Sequence, residues 1–137
     1  MTTTILIVDD SRVSREVIKV FLIGRHVAVL EAGDGEHALR MMHEYHPDLV
    51  LADFEMPKLD GLGLCKAVRS DARLRTTPVL VLSGSATPEI AQRCKSAGAL
   101  EVLAKPIQPR ALLEAIGRHV ELGTSEVFFR ADTIGGR

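Results

Sequence analysis

Apolar and polar positions fall into repeating blocks along the chain. Short unbroken apolar runs occur at Ile5-Leu6-Ile7-Val8, at Leu49-Val50-Leu51-Ala52 and at Val79-Leu80-Val81-Leu82. An unbroken run, without alternation, suits a strand covered on both faces, as in a parallel sheet. Val27 to Ala32 is a weaker run that reads as an edge strand, and Leu100 to Ala104 is the fifth. Between the runs, apolar residues recur at helical spacing. Val13, Val17, Ile18 and Phe21 give the first helix one apolar face, with Asp10 or Ser11 as N-cap and Gly24 closing it. After the turn Gly33-Asp34-Gly35, residues Ala38, Leu39 and Met42 mark a second helix that must end before Pro47. Leu64, Cys65 and Val68 mark a third, after the turn residues of Lys58-Leu59-Asp60-Gly61. Thr87-Pro88-Glu89 starts a fourth, with threonine as N-cap and proline at the first helical position. Ile90, Ala91 and Cys94 face inward there, and Gly98 caps its C-terminus. Pro109 opens the last helix, with Leu112, Leu113 and Ile116 inside and Gly123 as its stop.

Strand and helix thus alternate five times. That order predicts an α/β domain with one parallel sheet and helices on both faces. A strand order of 2-1-3-4-5 would set the first and third strands side by side at the switch point, where such sheets bind ligands.

Composition narrows the class. A chain of 137 residues, 46% apolar and 26% charged, is read as one globular domain. A net charge of -1 gives no footprint for nucleic acid or an anionic membrane. No apolar run approaches the ~18–20 residues of a membrane span, and Met1-Thr2-Thr3-Thr4 does not resemble a secretion signal. Cys65 and Cys94 make neither a disulfide framework nor a metal pattern, so they are read as core fillers in a cytoplasmic protein. The five histidines show no metal spacing and are placed on the surface. The periodic pattern fills residues 1–122. Residues 123–137, with Phe128 and Phe129, are read as a flexible tail, which leaves no room for a separate output domain.

The chemistry collects at the strand ends. Asp9 and Asp10 follow the first strand, Asp53 ends the third, Ser83 follows the fourth and Lys105 the fifth. In a parallel sheet all of these share one edge. Three carboxylates in one pocket repel and raise one another's pKa unless a cation intervenes. An all-oxygen set of this kind suits Mg²⁺. A carboxylate can take a phosphoryl group as an aspartyl-phosphate, a transfer that needs position and charge neutralisation. Lys105 supplies a compact positive charge and Ser83 a hydroxyl that can donate to a phosphoryl oxygen. Asp53 is the phosphoacceptor on this reading.

The sequence resembles the receiver domains of two-component response regulators, of the single-domain type. Val8-Asp9-Asp10, Asp53 with Met56-Pro57 and Asp60-Gly61, Ser83, Ala97-Gly98-Ala99 and Lys105-Pro106 carry the likeness over roughly residues 4–120. The resemblance implies a flavodoxin-like fold and phosphoryl transfer to Asp53 from a histidine kinase or histidine phosphotransfer protein. It implies Mg²⁺ held by Asp10, Asp53 and the Glu55 main-chain carbonyl, with Asp9 acting mostly through water. It makes Lys105 the phosphate partner, Ser83 and Gly84 the switch segment, and Lys105-Pro106 a cis peptide. The protein would be a signalling switch, not an enzyme, assisting only its own Mg²⁺-dependent phosphorylation and dephosphorylation, with output through an unidentified partner protein. The family usually carries an aromatic residue where Val102 stands. Glu55 is an acid at a position that tunes phosphoryl lifetime. These departures admit a second reading, a pseudo-receiver adaptor that binds partners without phosphorylation. A phosphatase with an aspartyl intermediate would need a second Asp and its motif after the first strand. A flavin site would need a hydroxyl- and glycine-rich loop where Asp9 and Asp10 stand.

Overall fold

Alternate residues of each central strand face opposite helical layers, so both sets are buried along the runs Ile5–Val8, Leu49–Ala52 and Val79–Leu82, which read as continuous apolar sequence. The computed structural model describes residues 2–123. The elements are β1 (Thr3–Val8), α1 (Arg12–Phe21), β2 (Val27–Ala32), α2 (Gly35–Tyr45), β3 (Leu49–Asp53), α3 (Gly61–Ser70), β4 (Val79–Ser83), α4 (Pro88–Ser96), β5 (Glu101–Ala104) and α5 (Pro109–Gly117). All strand pairs are parallel, in the order β2-β1-β3-β4-β5. The expected topology, flavodoxin-like with helices on both faces, is the observed one.

Two apolar layers flank the sheet. Leu6, Val8, Val50, Ala52, Val79 and Val81 face α2, α3 and α4, which contribute Ala38, Met42, Leu64, Cys65, Val68 and Cys94. Ile5, Ile7, Leu49, Leu51, Leu80 and Leu82 face α1 and α5, which contribute Ile18, Leu22, Leu112, Ala115 and Ile116. Each large aliphatic side chain fully buried here stabilises the fold by ~1.5–3 kcal/mol. Both cysteines are buried core members.

Helix starts follow the capping chemistry of the sequence. Ser11, Asp34, Asp60 and Thr87 each accept a hydrogen bond from the third following N–H. At the end of α4 the Gly98 N–H donates to the Lys95 carbonyl and the Ala99 N–H to the Cys94 carbonyl. This closure needs a left-handed residue, and Gly98 has φ +117.

Three local expectations are corrected. Val13 and Val17 do not face the core; Ile18 and Leu22 do, and Val13 is 73% exposed. Helix α5 ends at Gly117, well before Gly123, where Arg118 and His119 turn onto the Glu101 carboxylate. Leu100 lies outside β5 and is exposed. The tail reading for 123–137, with Phe128 and Phe129, concerns residues of which all but Gly123 lie outside the described ones.

Candidate functional site

The register of the sheet builds the site. Val8 pairs with Ala52, Asp53 with Leu82 and Ser83 with Ala104, so the strands end level along one edge. Backbone bonds carry that alignment one residue further: the Asp9 N–H donates to the Ala32 carbonyl, that of Phe54 to Leu82, and that of Lys105 to Ser83. Asp9, Asp53, Ser83 and Lys105 therefore emerge beside one another although they are far apart in the chain.

Asp9, Asp10 and Asp53 each offer a carboxylate oxygen, and these atoms lie within 4.8 Å of one another. Asp53 is 7% exposed and Asp9 2%, whereas Asp10 is open to solvent. The Lys105 Nζ lies 2.9 Å from Asp53 Oδ1 and 3.3 Å from Asp9 Oδ2. Burial pushes the Asp53 carboxyl above its ordinary range, and the charges of Asp9 and Asp10 add to that push against the pull of Lys105. Burial works against the Lys105 ammonium, but its contacts with Asp53 and Asp9 hold its pKa above that of a free lysine. One ammonium thus pairs with two of three clustered carboxylates. Such an excess of hard oxygen donors fits a divalent cation of the Mg²⁺ type. Asp9, Asp10 and Asp53 are the residues that could hold it.

The remaining predicted residues sit around this cluster. Ser83 is fully buried, and its Oγ accepts a 3.1 Å bond from the Ser85 N–H, which leaves its own proton free to donate. Gly84 is exposed in the β4–α4 loop. The Lys105-Pro106 peptide is cis, as expected. Glu55 is exposed in the β3–α3 loop. Val102 is half-buried against the α2–α4 layer and pairs with Val81.

Two supporting residues were not among the expected site. Arg15 donates from Nη1 to the Asp9 carbonyl at 2.7 Å and from Nε to Glu31 at 2.9 Å, tying α1 and β2 to the end of β1. Nothing in its spacing marks it, because its partners meet only when the chain folds. Gly61 returns the chain against the acceptor strand. A Cβ there would meet the Asp53 carbonyl oxygen at 2.7 Å, so the close approach requires glycine. The Asp60-Gly61 pair carried a trace of this requirement in the sequence.

Comparison with known proteins agrees with this geometry. Residues 5–117 match the Response regulator receiver domain family. A probable chemotaxis protein CheY from Rhizobium etli is 35% identical over 116 residues, which is 82% of this chain and 90% of that protein. The chain spans about half or less of some longer curated relatives. The structure of the Vibrio cholerae chemotaxis protein CheY4 aligns at 32% identity with a TM-score of 0.81, over 88% of this chain and 100% of that one. The receiver domain of the sensor histidine kinase PA1611 from Pseudomonas aeruginosa, with a magnesium ion coordinated in its active site cleft, aligns at 28% identity with a TM-score of 0.79, over 87% and 98% of the two chains. An acidic pocket closed by a lysine, on this sheet and with these relatives, places the chain in the response regulator receiver family, whose members signal by phosphorylation in two-component systems.

Proposed function

We propose that Asp53 accepts a phosphoryl group from a partner's phosphohistidine and that the resulting acyl phosphate switches the contacts of this protein. The observation that carries the reading is the ion-paired, nearly buried Asp53 between two further carboxylates and Lys105. An Asp53 carboxylate oxygen attacks phosphorus. The P–N bond breaks, and its electron pair stays on the imidazole nitrogen, which takes a proton from solvent. Lys105 moves from partner of the free carboxylate to partner of the phosphoryl oxygens, and the Ser83 hydroxyl donates to another. Asp9, Asp10, Asp53 and the Glu55 carbonyl would hold Mg²⁺, which neutralises charge on the transferring group. The magnesium described for the PA1611 receiver domain supports that assignment.

The donor is a histidine kinase or histidine phosphotransfer protein on this reading. An exposed apolar surface beside the pocket supports a landing site for it. Val13, Val17 and Val20 form an exposed apolar stripe along α1, and Ile23 just past its end is exposed as well. A groove of about 220 Å³ runs from Val13 and Val17 to Lys105-Pro106 and Ile107, so the stripe is continuous with the acceptor site. Output passes through contacts with a protein partner. Val102 is β-branched, with few rotamers, and cannot swing between pocket and surface as an aromatic ring would. The response is therefore carried by the loop from Gly84 to Thr87 and the start of α4.

The test uses phosphoramidate, a small donor with the same P–N bond. With Mg²⁺ the wild-type chain should gain one phosphoryl mass, and it should gain none in excess chelator. Asp53→Asn should gain none in either. Full labelling of that variant would overturn the acceptor assignment, and no labelling of the wild type would favour the pseudo-receiver adaptor. Val13→Glu with Val17→Glu should slow transfer from a protein donor while leaving phosphoramidate labelling intact.

A further inference from the structure

The charge of the chain is unevenly placed. From Gly61 to Gly98 it carries six basic residues, Lys66, Arg69, Arg73, Arg75, Arg93 and Lys95, against two acids, Asp71 and Glu89. The rest of the chain holds eleven basic and sixteen acidic residues. The Asp71 carboxylate is already engaged, by His43 and by the Arg73 N–H. Arg69 is also engaged: its guanidinium donates to the carbonyls of Gly98, Arg75 and Thr77 and fixes the far ends of α3 and α4 to each other.

Between these helices runs a groove of about 290 Å³, lined by Leu62 and Lys66 of α3 and by Gln92, Arg93, Ser96 and Ala97 at α4 and its end. Leu62 and Ala97 pack against the core and offer an apolar floor. Lys66 and Arg93 are exposed on its walls, and among the described residues neither forms an ion pair. Gln92 and Ser96 bond to each other at 3.2 Å and make a polar rim. Two cations over an apolar floor, with no acid among the described residues paired to them, select an occupant that brings carboxylates and a hydrophobic side chain together.

We propose that the α3–α4 groove binds a short acidic segment of a partner protein, with an apolar residue on Leu62 and Ala97 and carboxylates paired to Lys66 and Arg93. Charge complementarity supports this occupant. A long polyanion such as nucleic acid is less favoured, because outside Gly61 to Gly98 the chain carries more acids than bases. The surface is distinct from the α1 stripe: it lies on the opposite side of the sheet, so a phosphoryl donor and this segment can be bound at once.

The test uses the full chain and a peptide of alternating glutamate and leucine, followed by amide chemical shifts and by fluorescence anisotropy. The shifts should centre on Leu62, Lys66, Gln92, Arg93, Ser96 and Ala97. K66E with R93E should weaken binding about tenfold, because both rim charges then repel the peptide. The milder K66Q with R93Q serves if the reversal impairs folding, and it should weaken binding by a smaller factor. A lysine–leucine peptide should not bind. Both variants should accept phosphate from phosphoramidate as the wild type does. Shifts scattered over Arg12, Arg25 and Arg40, or unchanged affinity in both variants, would overturn the proposal. So would tighter binding of a DNA oligonucleotide at the same residues, or self-association of the chain through them.

Discussion

Asp53→Asn keeps the shape of the acceptor and removes one charge from a pocket with three carboxylates and one ammonium. The carboxylate oxygens lie within 4.8 Å of one another, which at an effective dielectric of about 20 gives at least ~3.5 kcal/mol of repulsion per pair. Asp53 faces two such partners, so its charge carries ~7 kcal/mol of repulsion. Its attraction to Lys105 at 2.9 Å offsets ~6 kcal/mol of that. Burial of the carboxylate costs more still, and the asparagine amide carries a smaller burial cost of its own. The balance favours the variant by about 2 kcal/mol when no divalent cation is present. At this chain length ~1 kcal/mol corresponds to ~4 °C, so the variant should melt about 8 °C higher in excess chelator. With Mg²⁺ at ~100 times its Kd the wild type should gain ~2.7 kcal/mol, while the variant, short of one ligand, should gain less. The gap should then close. Thermal unfolding followed by circular dichroism reads both conditions. A variant that melts at or below the wild type in chelator would refute the claim that the pocket is charge-strained and awaits a cation.

The Glu101 carboxyl is held below its usual range by Arg118 and then His119, against burial. A depressed acid adds stability above its unfolded pKa and loses it as pH falls through the folded value. Glu101→Gln should therefore lower the melting point by about 2–4 °C at neutral pH, with the difference vanishing in acid below the usual glutamate range. Gly98→Ala should destabilise by about 2–3 kcal/mol, because the Cβ would sit 2.4 Å from Arg69 Cγ at a residue with φ +117; a lower urea midpoint at unchanged slope would show it. Burial raises the Cys65 thiol to about 12, so iodoacetamide should leave it unmodified at mildly alkaline pH in the native protein and alkylate it once the chain is unfolded.

Strands and caps were legible because each rests on a local signal. The bounds of β2 and β3 follow from their apolar runs, Thr87 caps α4 as read, and Ser11 is the one of the two candidates that caps α1, whereas Asp34 and Asp60, read only as turn residues, also serve as caps. The α1 face was misread for a physical reason. This helix carries two apolar stripes, Val13-Val17-Val20 and Ile18-Leu22, and spacing alone does not say which one meets the sheet. The acidic pocket was legible because the strand-end residues are of the chemical types the site needs, and a parallel sheet brings its strand ends to one edge. Arg15 and the α3–α4 groove were not, since each depends on partners that only the tertiary structure brings together. The cis Lys105-Pro106 bond followed from the family likeness and not from any local pattern.

The central claim is that one carboxylate among three, Asp53, carries the phosphoryl group. Borohydride reduces an acyl phosphate, so an aspartate that held phosphate becomes homoserine and can be located by peptide mapping. After incubation with phosphoramidate and Mg²⁺, homoserine should appear at position 53 alone, in an amount equal to the phosphoryl mass gained. Homoserine at position 9 or 10, or phosphoryl mass with aspartate intact at 53, would contradict the account.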